Sequence, residues 1–150
     1  MPDNPISILI VEDDDNFAKV LAQILVTCGL TVFRVSTLTE AMSEAAIQQP
    51  NVILLDLSLP DSPLDNTVRA IPEIKEMAPD SQVCVLTGHT EKGLEEKVLS
   101  MGAASFAMKG GGMGTRQDIL NLLLNSIRNG SQSISENVKI LEQALGAKLT

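Results

Sequence analysis

The sequence predicts an α/β fold: a doubly wound parallel sheet of five strands with helices on both faces. Three observations carry that reading. Five short apolar runs recur along the 150 residues. A segment with helical periodicity follows each run. Glycine or proline closes most of the segments, so strands and helices alternate. Parallel neighbours need a crossover, and helices of this length supply it.

The elements follow in order. Residues 6–11 read as a buried strand, and Phe17, Val20, Leu21, Ile24, Leu25 and Cys28 then recur at helical spacing up to a stop at Gly29. Residues 31–35 form the second strand. "TLTE" at 37–40 has the form of a capping box, opening an alanine-rich helix that runs to about Gln49 before Pro50. The third strand is 52–55, followed by a helix over 66–77 that Ala78 and Pro79 stop. The fourth strand is 83–86, with a polar helix over 91–101 closed by Gly102. Residues 104–108 complete the sheet. "GGGMG" at 110–114 reads as a flexible connection, lacking the lysine-serine ending of a phosphate-binding loop. An apolar helix over 116–128 follows it. The expected division is a domain at 1–129 and a helical extension at 130–150, with Val138, Leu141 and Leu145 on one stripe. Leu120 and Leu124 lie on a second flank of the 116–128 helix, suited to packing under that extension or to a homodimer face.

Composition excludes several function classes. With 11 basic against 19 acidic residues, the net charge is −8, and no basic stripe exists to engage a nucleic-acid backbone. No apolar run approaches the roughly 20 residues of a membrane span. The opening "MPDNPIS" has none of the basic-then-apolar pattern of a leader, so the expected location is cytoplasmic. Cys28 and Cys84 stand alone, and one histidine, His89, cannot build a His/Cys zinc site.

In a doubly wound sheet, ligands bind beyond the carboxyl ends of the strands. After the first strand come Glu12, Asp13, Asp14 and Asp15; after the third, Asp56; after the fourth, Thr87; after the fifth, Lys109. Carboxylates gathered within about 4–5 Å repel by roughly 3–4 kcal/mol per pair at an effective dielectric near 20. A cation relieves that repulsion, and ligands that are all oxygen select a hard divalent ion such as Mg²⁺. Mg²⁺ commonly adds a phosphate oxygen to one or two carboxylates. Asp56 has the chemistry to accept a phosphoryl group as a nucleophilic carboxylate. Lys109 and the Thr87 hydroxyl would contact its oxygens. Asp14 and Asp15 read instead as an N-cap and a first-turn acid of the first helix.

"ILIVEDDD", "VILLDLSLPDS", "VCVLTG" and "GAASFAMKG" together resemble the receiver domain of two-component response regulators, over residues 6 to about 128. The resemblance implies the flavodoxin-like strand order 2-1-3-4-5. It implies Asp56 as phosphoacceptor and Glu12 and Asp13 as the acidic pair, with the Ser58 backbone carbonyl as a further metal ligand. It implies Thr87 and Phe106 as a switch pair and Lys109 as the phosphate lysine. Ser58 and His89 fall where family members modulate access of water to the phosphoryl group. The implied partners are a histidine kinase or phosphotransfer protein and a downstream protein. Three departures stand out. Phe106 replaces the frequent tyrosine, Gly110 follows Lys109 in place of proline, and Pro63-Leu64-Asp65 replaces a frequent glycine.

The leading expectation is therefore a phosphoacceptor switch of a phosphorelay, catalysing only its own phosphoryl transfer and autodephosphorylation. One alternative is an interaction module whose output ignores phosphate. Another is an aspartyl-phosphate phosphohydrolase, which commonly needs a second acid two residues past the nucleophile, where this chain has Ser58.

Overall fold

The computed structural model describes residues 6–27, 29–88 and 91–108. Its elements are β1 (Ser7–Val11), α1 (Asp15–Thr27), β2 (Thr31–Val35), α2 (Leu38–Gln48), β3 (Val52–Leu55), α3 (Leu64–Met77), β4 (Gln82–Thr87), α4 (Leu94–Ser100) and β5 (Ser105–Met108). The strands form one parallel sheet in the order β2-β1-β3-β4-β5, as the resemblance implied. The helix expected over 116–128, the extension after it, and the boundary at 129/130 lie outside the described residues.

Alternation along the strands divides the core into two layers, because successive side chains point to opposite faces. Ile8, Ile10, Val52, Leu54 and Cys84 pack with Ala18, Leu21 and Leu25 of α1 on one face. Leu9, Val11, Ile53, Leu55, Val83 and Val85 pack on the other, against Ala41 and Ala45 of α2, Val68, Ile71 and Ile74 of α3, and Leu94 and Val98 of α4. A sheet covered on both faces accounts for the continuous apolar run of β3, whose four residues are all buried.

Local signals set most ends. α1 stops in two hydrogen bonds, Gly29 N–H to the Val26 carbonyl at 2.9 Å and Leu30 N–H to the Leu25 carbonyl at 3.1 Å. Gly29 takes the left-handed φ of +90° that this C-terminal motif requires, and Leu25 and Leu30 share the core. At the start of α2, the Thr37 side chain accepts from Glu40 N–H at 3.2 Å. Glu40 accepts in return from the Ser36 N–H and the Thr37 hydroxyl, a variant of the reciprocal box.

Two helices differ from their sequence expectation. α3 begins at Leu64, two residues early, with Pro63 as its N-cap. α4 begins at Leu94 in place of residue 91, because Gly93 adopts φ +82° and starts the helix after it.

Candidate metal and phosphoryl site

Backbone register builds the site. Val11 pairs with Leu55, so Glu12 and Asp56 leave adjacent strands side by side, and the Asp56 N–H donates to the Val11 carbonyl at 3.0 Å. Leu55 pairs with Val85, which sets Thr87 one step beyond Asp56 on the next strand. Glu12, Asp56 and Thr87 are buried at 3%, 5% and 0% exposure, while Asp13 is exposed at the rim.

One carboxylate oxygen from each of Glu12, Asp13 and Asp56 lies within 4.8 Å of the other two. Two of the three carboxylates are buried, where desolvation makes their mutual repulsion costly. The donor set is oxygen throughout, with one face open to solvent. That set fits a hard divalent cation that keeps water and exchangeable ligands. A small cavity of about 10 Å³ reaches Glu12 and Asp56 and is otherwise apolar, with Ile10, Phe17, Leu21, Leu54 and Leu86 in its lining.

The turn after β1 is tightly specified. The Asp14 N–H donates to Glu12 Oε2 at 3.1 Å, which ties the buried carboxylate to its own loop. Asp14 Oδ1 accepts from Asn16 N–H at 3.0 Å and Phe17 N–H at 3.1 Å, so Asp14 is the N-cap of α1. Asp15 sits in the first turn of that helix. Both acids therefore serve the helix, as their positions predicted. On the β3 side, the Ser58 N–H donates to Asp56 Oδ1 at 3.2 Å and holds the carboxylate toward its own loop.

Phe106 pairs with Val85 and packs, half-buried, on the α4 side of the sheet. Strand alternation puts Thr87 on the same face, two residues past Val85. Lys109 and His89 lie outside the described residues.

Sequence reasoning missed two residues. Arg34 of β2 donates from Nε at 3.1 Å and from a terminal nitrogen at 2.7 Å to the Glu12 carbonyl, and pairs with Asp15 at 2.8 Å. Its signal was a charge inside the otherwise uncharged strand "TVFRV". Asp61, in the loop after β3, accepts from the Leu38 N–H at 2.8 Å, the Thr39 N–H at 3.1 Å and the Thr39 hydroxyl at 2.9 Å. It thereby joins that loop to the start of α2. Partial desolvation is the largest single influence on its exposed carboxyl and raises the pKa. The hydrogen bonds together outweigh it and leave the pKa below its ordinary value.

Comparison with known proteins agrees with this geometry. Residues 8–121 match the family model described as the response regulator receiver domain. The KDP operon transcriptional regulatory protein KdpE of Escherichia coli is 31% identical over 118 residues, covering 79% of this chain and 51% of that protein. The chain spans about half the length of the first curated relatives it matches. A CheY-like receiver domain protein from Methanospirillum hungatei JF-1 superposes with a TM-score of 0.76 at 23% identity, over 85% of this chain and 97% of that one. That likeness concerns the fold. The receiver domain of a Pseudomonas aeruginosa PAO1 sensor histidine kinase gives 0.69 at 25% identity, over 83% of this chain and 99% of that one. Its structure carries a magnesium ion coordinated in the active site cleft.

Proposed function

Because this chain belongs to the response regulator receiver domain family, we propose that it is a phosphorylation-controlled switch whose phosphoacceptor is Asp56. The observation that carries the proposal is the convergence of Glu12, Asp13 and Asp56, within 4.8 Å of one another, at the strand ends beside buried Thr87.

Glu12, Asp13, Asp56 and the Ser58 backbone carbonyl would hold a divalent cation, with Mg²⁺ favoured by the oxygen donors. When bound, that ion offsets the negative charge on the carboxylates and on the phosphoryl oxygens in the loose transition state. The chain's own residues do the rest. An Asp56 carboxylate oxygen attacks the phosphorus of the donor, forming a new O–P bond. The bond from phosphorus to the donor breaks, and its electron pair leaves with the donor group. The Ser58 N–H orients the attacking carboxylate from 3.2 Å. The Thr87 hydroxyl and the Lys109 ammonium contact the transferred oxygens. Water later cleaves the acyl phosphate and restores Asp56, and in this reading Ser58 and His89 modulate its access.

The donor in this reading is a histidine kinase or phosphotransfer protein in the cytoplasm. The output is a changed affinity for a downstream protein, set by Thr87 and Phe106 on the α4 side of the sheet. Among the described residues no helix is long and apolar enough to cross a membrane.

Incubation with Mg²⁺ and a small acyl phosphate, followed by intact-mass measurement, tests the assignment. One phosphoryl adduct is expected on the wild type and none on Asp56→Asn. An adduct of equal yield on Asp56→Asn refutes it. Partner binding that ignores phosphorylation would favour the phosphate-independent module.

A further inference from the structure

Beyond the residues that meet the phosphoryl group, we propose that Arg34 is a positioning residue for the divalent-cation site, acting through the Glu12–Asp13 peptide. The inference rests on the receiver reading of the acidic cluster. Arg34 lies on edge strand β2, paired with Ile10. Two nitrogens of its guanidinium converge on the Glu12 carbonyl oxygen at 3.1 and 2.7 Å. The N–H of the same residue donates to the Val35 carbonyl at 3.0 Å. Strand β2 therefore holds Glu12 through both its N–H and its carbonyl.

The Glu12 carbonyl belongs to the peptide plane that also contains the Asp13 N–H. Because that plane is rigid, fixing its carbonyl constrains the ψ of Glu12 and the φ of Asp13, and so the aim of both carboxylates. The third nitrogen of the fork holds Asp15 Oδ1 at 2.8 Å and anchors the first turn of α1. One planar cation thus joins both ends of the turn that presents the acids. Lysine offers a single ammonium and cannot reproduce three donors in a fixed plane.

Charge and position make opposite predictions here. Arg34 and Asp15 form a largely neutral pair, so deleting the arginine leaves an extra negative charge near the site. Charge alone would tighten cation binding. Loss of position would weaken it. Arg34→Lys keeps the charge and removes the fork, which isolates the second effect.

Mg²⁺ titration of the unphosphorylated protein, followed by amide NMR shifts at constant ionic strength, decides the matter. Arg34→Ala is expected to raise the dissociation constant about tenfold, the lower end of the roughly 10–100-fold effect of groups that orient metal ligands. Arg34→Lys is expected to raise it several-fold. With a small acyl phosphate as donor, the Mg²⁺ concentration for half-maximal phosphorylation should rise in step, while the rate at saturating Mg²⁺ stays near wild type. An unfolding midpoint measured with a chelator present separates this from general damage, and Arg34→Lys carries the test should the alanine variant fold poorly. Equal or tighter Mg²⁺ binding by Arg34→Lys overturns the inference while leaving the receiver reading intact. A wild-type protein that takes up no Mg²⁺ overturns both.

Discussion

Replacing Asp61 by alanine tests whether the loop after β3 also caps a neighbouring helix. The change removes three hydrogen bonds: to the Leu38 N–H at 2.8 Å, the Thr39 N–H at 3.1 Å and the Thr39 hydroxyl at 2.9 Å. Thr37 continues to satisfy the Glu40 N–H, so α2 keeps one cap of its own. Loss of a capping side chain costs about 0.5–2 kcal/mol, and a carboxylate at a helix N-terminus adds about 0.3–1 kcal/mol. Asp61 is exposed, so solvent screening holds the charge contribution to the low end. The expected loss at pH 7 is therefore about 1–2 kcal/mol. With a urea m-value of about 2 kcal/mol/M, the midpoint should fall by roughly 0.5–1 M.

The pH dependence gives a second check. The folded carboxyl has a pKa below its ordinary value of 3.8, so its contribution is present above 3.8 and is lost as pH falls through the folded value. The gap between wild type and Asp61→Ala should hold steady from pH 7 down to about 5, then narrow below 4. Equal midpoints at pH 7, or a gap as wide at pH 3 as at pH 7, would refute the capping role.

Other outcomes follow from the same geometry. Leu55→Ala opens a fully buried site next to Asp56 and should lower stability by about 2–5 kcal/mol, read by urea denaturation. Gly93→Ala meets no atom within 4 Å but must hold φ +82°, so about 1–2 kcal/mol of backbone strain is expected in the unfolding midpoint. Gly88→Ala, also in open space but without a positive φ, should shift that midpoint by much less. Asp13→Asn removes one charge from the crowded acids and should stabilise the metal-free protein by about 1 kcal/mol, given the exposure of Asp13. The same variant should lose most of the rise in thermal midpoint that Mg²⁺ gives the wild type.

Sequence by itself determined the layered architecture, because periodicity and alternation record which face of each element is buried. β2 and β3 have the bounds the sequence predicted, β1 and β5 start one residue later than expected, and β4 extends one residue further at each end. It also placed Glu12, Asp13, Asp56 and Thr87 at strand ends, where a parallel sheet collects them. Helix starts were less legible: Gly93 can end a helix or precede one, and only the bond that its carbonyl accepts from the Lys97 N–H at 3.0 Å shows which. Tertiary structure alone decided the roles of Arg34 and Asp61, whose partners lie 22 and 23 residues away. Hydrogen bonds across such separations leave no periodic trace, because they depend on which strands become neighbours and in what register. An arginine within a strand or an aspartate within a turn looks like ordinary solvated charge until the sheet brings a strand-end carbonyl or a helix N-terminus beside it.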